Sequence, residues 1–230
     1  MPAPATVARE PNRMDSKAIH KLSYGLFVVT ARAGAHDAGC IINTAVQAAS
    51  APNQLSICVN KANHTHDVIL ESGAFTVSVI DESAGFELFE RFGFRSGRDV
   101  DKFADFAACA RGENGLLHLS RGANAYISVK VGTTVDLGSH TLFVGEVTDA
   151  AVLGDTPSMT YEYYRANVKP RPQPVGTTSD GQTVWRCTVC GYEFVGDELP
   201  EDFVCPLCKH PASDFEKIVR QALDKQATGA

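Results

Sequence analysis

The sequence predicts a mainly β chain in two parts: a β-barrel with short helices, then a small domain built on a four-cysteine metal centre. Three observations carry this prediction. Apolar and polar residues alternate in several short runs. Two C-x2-C pairs stand near the C-terminal end. A proline-rich stretch without core-forming residues separates the two regions. A chain of 230 residues has room for one or two domains, and its 44% hydrophobic content is enough to bury a core.

In chain order, residues 1–13 read as a flexible leader, since Met1 to Pro11 lack the apolar stretch of a secretory signal. Strands are expected over 24–31 and 40–48. Leu55, Ile57 and Val59 then alternate with Ser56 and Cys58, the period of a strand with one buried face. A helix is expected over 65–72, stopped by Gly73. Phe75, Val77 and Val79 alternate with Thr76 and Ser78 as the next strand. A second helix is expected over 84–92, with Ser83 as N-cap and Gly93 as C-cap. Its Phe86, Phe89 and Phe92 read as core packing. Ile127, Val129 and Val131 alternate with Ser128, Lys130 and Gly132, and a turn at 136–140 leads into a strand over 141–150. Tyr161, Tyr163 and Tyr164 read either as a cover for a flat ring or as an aromatic strand packed on the barrel. Many strands and few helices suggest a closed barrel with helices at its ends.

The domain organisation expected is therefore a barrel over 14–169, a linker over 170–182, a metal domain over 183–220 and a flexible tail over 221–230. Three prolines at 170, 172 and 174, then small polar residues, favour an extended tether. With 21 basic and 27 acidic residues the net charge is -6, which argues against a nucleic-acid partner. No apolar run reaches membrane-spanning length, so no membrane association is expected. Cys40, Cys58 and Cys109 are isolated in apolar or small-residue contexts and read as buried thiols, which suits a cytoplasmic location.

The four remaining cysteines, Cys187, Cys190, Cys205 and Cys208, form two C-x2-C pairs fourteen residues apart. Each pair can present two thiolates from one tight turn, and two turns close a tetrahedral all-sulfur site. The alternatives are iron, which makes an electron carrier, and zinc, which makes a structural clip. Trp185, Tyr192, Phe203 and Phe215 flank the pairs and favour iron, because a one-iron centre is tuned by a dry shell and by N–H groups aimed at sulfur. Acidic residues Glu193, Asp197, Glu198, Glu201, Asp202 and Asp214 outnumber Lys209 and His210 around the pairs, a face suited to a basic partner.

Within the barrel region, residues 60–65 (Asn60, Lys61, His64 and Thr65 among them) leave a strand and enter a helix. Backbone N–H groups at a helix start, a lysine and a threonine hydroxyl together suit a phosphate. Asn43 and Thr44 make one strand unusually polar, and Gln47 follows; amide and hydroxyl groups there can bond to the edge of a heterocycle. Arg95, Arg98 and Lys102 lie on a glycine-containing loop, good anion ligands.

These segments, with Tyr24-Gly25 through Thr30, residues 96–103, and Gly138-Ser139-His140 leading into Gly145-Glu146-Val147, resemble the flavin-reductase-like, FMN-binding split-barrel family. The last turn of that family usually carries an acid where Ser139 stands here. Residues 183–219 resemble rubredoxin, and the whole arrangement resembles the high-molecular-weight rubredoxin family. The resemblance implies FMN (FAD being the alternative flavin), one iron, and NADH or NADPH as donor, bound without the glycine fingerprint of a Rossmann fold. It implies that Asn43, Thr44 and Gln47 lie along the isoalloxazine. Asn60, Lys61, His64 and Thr65 would hold the phosphate region, with Arg98 and Lys102 assisting. His140 would stand near flavin and nicotinamide as the catalytic residue. A homodimer and a flavodiiron protein as electron acceptor are also implied. The alternative function is a flavin reductase that supplies reduced flavin to a partner monooxygenase.

Overall fold

A computed structural model describes residues 18, 21–170, 183–188, 192–205 and 210–219. The expected leader, linker residues 171–182, the tail, Cys190 and Cys208 lie outside the described residues. The chain is mainly β. Its larger part is a seven-stranded antiparallel sheet in the order β2-β1-β5-β8-β9-β4-β3. The strands are β1 (Phe27–Ala33), β2 (His36–Ile42), β3 (Val46–Ser50), β4 (Asn53–Asn60), β5 (Ala74–Ile80), β8 (Ala123–Asp136) and β9 (His140–Val152). The period-two runs read from the sequence are β4, β5 and the middle of β8. Leu55, Ile57 and Val59 point inward with Val29, Ala31, Phe75, Val77, Val129 and Phe143, and form the main core.

The strand expected over 40–48 is two strands. It breaks at Asn43–Ala45, and β2 and β3 stand at opposite edges of the sheet. No ladder joins these two edges among the described residues, so the barrel is split, as the resemblance implied, and not closed as the run of strands alone suggested. The chain crosses the seam through Asn43, Thr44 and Ala45. Thr44 takes the place of a ladder residue: its Oγ1 donates to Cys58 O (2.9 Å) and accepts from Cys58 N (3.2 Å).

Helix α1 (His64–Ser72) ends as expected at Gly73, whose φ of 67° is the left-handed conformation that suits glycine, and whose N–H reaches Ile69 O. Helix α2 (Phe86–Gly93) starts later than expected. Its N-cap is Gly85, not Ser83, because Ser83 is held by Asp81, which accepts from both its N–H and its hydroxyl. Gly93 lies inside the helix, and Phe94 is the C-cap in right-handed conformation. Phe89 and Phe92 are buried in a second core with Leu26, Val28, Ile80, Leu119 and Met159, and Phe86 packs at its margin. A short hairpin, β6 (Cys109–Arg111) with β7 (Leu117–Leu119), covers the polar inner seam of the sheet: Thr30 Oγ1 donates to Leu117 O and Leu119 N donates to Ser78 Oγ.

The tyrosines at 161–164 are helical, not a strand. They form α3 (Tyr161–Tyr163), which runs on as a π-helical turn over Tyr164–Val168. Thr160 caps α3 by accepting from Tyr163 N at 3.0 Å, and Tyr164 packs its ring on Phe89, 4.2 Å between centroids. Cys40 is buried in the main core, and Cys58 and Cys109 are half-buried free thiols. No helix among the described residues is long and apolar enough to cross a membrane.

The smaller part is a three-stranded antiparallel sheet ordered β11-β10-β12, from β10 (Thr183–Cys187), β11 (Glu193–Val195) and β12 (Phe215–Val219).

In the larger sheet, Gly145 of β9 pairs with Val131 of β8, beside a register shift at Val131/Thr133. A Cβ there would drive into the Lys130 carbonyl and stand 2.6 Å from Val129 Cγ1. Gly145→Val should therefore destabilise the protein by ~1–3 kcal/mol through overpacking, read as a lower midpoint in urea unfolding. An unchanged midpoint would show that the two strands separate freely.

Candidate functional site

One end of β4 gathers four of the expected residues. Asn60, its last residue, pairs with His140 in the β4–β9 ladder. One position further, Lys61 N donates to Ser139 O (3.0 Å). Thr44 is bonded to Cys58 from the other side of β4. The chain then turns into α1 through Asn60, whose Oδ1 accepts from Ala62 N at 2.8 Å. Strand pairing therefore brings Thr44, Asn60, Lys61 and His140 together although they are far apart in the chain. The β8–β9 turn is shaped by Gly138 (φ 81°), whose N–H donates to Asp136 Oδ1 at 2.8 Å. Ser139 Oγ and His140 Nδ1 are 2.9 Å apart, so the ring nitrogen left for a reactant is Nε2.

Two of the expected cations meet a carboxylate. Lys61 Nζ is 2.7 Å from Asp136 Oδ1, and Arg98 donates to Asp67 Oδ2 at 2.6 Å. Hydrogen bonds first from Lys61 and then from the Gly138 amide hold the Asp136 carboxyl below the usual carboxylate range. Asp67 is lowered by hydrogen bonds from His66 and then from Arg98. Both pairs reach solvent, so they orient side chains more than they stabilise the fold.

A cleft of about 380 Å³ lies beside this end, lined by His64, Gly97, Arg98, Lys102 and Phe103 and by residues 35–39. His64 Nδ1 is buried and has no hydrogen-bond partner among the described residues. Buried polar atoms are nearly always satisfied, so this one marks a place for a ligand. Its neighbour Thr65 is buried.

Two expected ligands stand differently. Lys102 is not an open anion ligand: its ammonium is buried and donates to Gly39 O (2.9 Å) and Phe92 O (3.0 Å), and burial lowers its pKa. It clamps the 95–103 loop to β2 and α2. Gln47 lies three residues along the chain from Thr44, opposite Leu55, and its amide turns toward Ala49 O and Asn53 Oδ1 in the β3–β4 hairpin. Asn43 sits on the seam crossing next to Thr44.

His66 was not singled out from the sequence. It is buried, with Nδ1 2.8 Å from Asp67 Oδ1 and Nε2 2.8 Å from Thr141 Oγ1, and so it braces α1 against the residue after His140. The signal was its place two residues after His64, which turns the two rings to different faces of the helix.

In the smaller domain Cys187 and Cys205 are buried, and with Phe215 they form one cluster, packed by Trp185, Tyr192, Leu199 and Phe203. Phe203 meets Phe215 edge-on, at 5.4 Å and 85°. Cys187 N donates to Tyr192 O and Cys205 N to His210 O, both at 2.8 Å. Two buried sulfurs in an aromatic shell fit a thiolate-bound metal. The acidic face is smaller than expected. Glu193 is almost wholly covered by its pairing with Arg186 (3.1 Å), and Asp214 pairs with His210 (2.7 Å). Asp197, Glu198, Glu201 and Asp202 remain exposed.

If Lys102 is a clamp, its loss is felt without any ligand. Lys102→Met should leave two buried carbonyls unpaired and cost ~1–3 kcal/mol in urea unfolding of flavin-free protein. Wild-type stability together with weakened flavin binding would return Lys102 to the ligand set.

Comparison with known proteins gives the setting. Residues 19–171 match the flavin reductase like domain family, and residues 185–216 match the rubrerythrin, rubredoxin-like domain. The chain is 36% identical to a high molecular weight rubredoxin of Moorella thermoacetica, over 89% of this chain and 100% of that one. It is 43% identical to a ferric-chelate reductase (NAD(P)H) of Archaeoglobus fulgidus, over 66% of this chain and 89% of that one. Among solved structures, the NADH:FAD oxidoreductase SgcE6 of Streptomyces globisporus superposes with a TM-score of 0.57 at 25% identity, over 69% of this chain and 93% of that chain.

Proposed function

Since the chain belongs to the flavin reductase like domain family and carries a rubredoxin-like domain behind it, we propose that it is an electron-transfer oxidoreductase that draws on NADH or NADPH. One observation carries this reading: a barrel end that gathers Thr44, Asn60, Lys61 and His140 is joined, in one chain, to a domain that buries Cys187 and Cys205 among aromatic rings. When bound, FMN would accept a hydride from the nicotinamide, and the thiolate-bound iron would carry electrons singly to an outside protein.

The residues have separate tasks. Lys61 and Arg98 meet the phosphate with charge, and the unpartnered His64 Nδ1 gives it a hydrogen bond. Asn43 and Thr44 border the ring where the chain crosses the seam, with Gln47 further along β3. His140 offers Nε2 to the reacting face. Cys187, Cys190, Cys205 and Cys208 hold the iron.

Two partner surfaces accompany this reading. The outer face of the sheet carries Val46 and Val135, 62% and 44% exposed, with Leu137 beyond them at the turn, 54% exposed. Val46 lies in one row with Ser56 and Val144, and Val135 in the next with Leu142 and Cys58. Such a face suits a homodimer. The exposed acids of the metal domain suit a basic patch on the acceptor, for which we propose a flavodiiron protein. A second reading, a reductase that releases reduced flavin to a monooxygenase, is favoured by the family match ending at residue 171, ahead of the metal domain.

Lys61→Glu would put a further negative charge beside Asp136 and the phosphate, and should weaken FMN by roughly 30-fold or more. Equilibrium dialysis of the folded variant measures this, and unaltered affinity would move the phosphate elsewhere. The electron route has its own test. Ending the chain after Lys169 should leave NADH oxidation by artificial acceptors intact and abolish reduction of a protein acceptor. In the intact chain NADH should bleach the ferric colour at a rate independent of protein concentration. A rate rising linearly with concentration would sink the intramolecular route, and equal activity of both chains toward a monooxygenase would favour the second reading.

A further inference from the structure

We infer that Phe94 is the seat on which the metal domain docks against the barrel, so that electrons pass between the two halves across a specific contact and not through tethering alone. The inference rests on the electron route proposed above.

Phe94 closes α2, its N–H reaching Glu90 O at 3.4 Å. On one side its ring leans on Phe86, 5.7 Å between centroids, and through Phe86 on the second core of the barrel. On the other it packs against the cluster of Cys187, Cys205 and Phe215. Among the described residues grouped around those sulfurs, Trp185, Tyr192, Leu199 and Phe203 all belong to the metal domain, and Phe94 is the one contributed by the barrel. A partly buried aromatic side chain inserted beside a buried cluster is the usual anchor of a specific interface.

The position of Phe94 in the chain gives the contact its meaning. Three residues on, Gly97 lies against the ring of His64: a Cβ at Gly97 would stand 3.4 Å from His64 Cδ2. Next to Gly97, Arg98 reaches Asp67. The ring that touches the sulfur-bearing cluster and the backbone that touches the candidate phosphate site are thus joined by no more than roughly 11 Å of chain. The step served is the passage of one electron from NADH-reduced flavin to ferric iron, which leaves ferrous iron; two such passages, with the iron re-oxidised by the outside protein between them, return the flavin to its oxidised state.

The test uses the full chain loaded with flavin and iron. Phe94→Glu should enlarge the radius of gyration in small-angle scattering and slow iron bleaching by about tenfold or more, as docking gives way to tethering. Flavin bleaching by NADH should keep its wild-type rate. Phe94→Leu, which keeps an apolar plug, should stay close to wild type in both measurements. If Phe94→Glu does not fold, Phe94→Ser carries the same test. An unchanged radius of gyration with an unchanged iron rate would overturn the inference. Scattering needs no electron flow. If NADH leaves the wild-type iron ferric, the proposed route fails, and the radius of gyration still decides whether Phe94 seats the domain.

Discussion

The pairing of β4 with its two neighbours is the constraint on which the site depends. Leu55, Ile57 and Val59 are buried on one face of β4, so its register against β9 cannot slip by one residue without turning those side chains to solvent. That same register sets Asn60 opposite His140 and Lys61 beside Ser139. On the other flank, the Thr44 hydroxyl stands in for a strand residue against Cys58. Core packing thereby fixes the relative positions of polar residues that themselves bury little surface. The site inherits its geometry from apolar contacts further back along the same strand.

Its electrostatics follow another logic. Lys61 and Arg98 each have a carboxylate, and each of those carboxylates has a second donor: Gly138 N–H for Asp136, His66 for Asp67. Because the folded pKa of each acid is depressed, its contribution to stability is fully present above the ordinary carboxylate range and fades only as pH falls through the lowered value. The Lys61–Asp136 and Arg98–Asp67 pairs thus persist through neutral pH. Lys102 is the contrast: its ammonium is held by two carbonyls inside the protein.

Much of this was legible in the sequence, for identifiable reasons. Period-two alternation marked β4 and β5 because each buries one face. Gly73 marked the end of α1 because a left-handed residue was needed there. The knuckle spacing marked the metal domain. What escaped was decided by tertiary contacts. Ser83 has the chemistry of a cap, but Asp81 takes its hydroxyl first. The polar break at Asn43–Ala45 was visible as a bonding patch, while its use as a crossing between sheet edges depends on β4. The tyrosines at 161–164 carry no period that separates a strand from a helical turn; burial of Tyr164 against Phe89 decides it. Glu193 looked like surface charge until Arg186 was placed across the β10–β11 pair.

The three cysteines outside the knuckles have a consequence for how the protein acquires its metal. Burial raises the pKa of Cys40, Cys58 and Cys109, the last helped by nearby Asp37 and opposed by Arg111. Metal binding and oxidation both require thiolate. Each of these sulfurs therefore keeps its proton at neutral pH and offers little to a passing cation or oxidant. Of the seven cysteines, the three in the folded barrel therefore add no ready thiolate to compete for a metal at neutral pH.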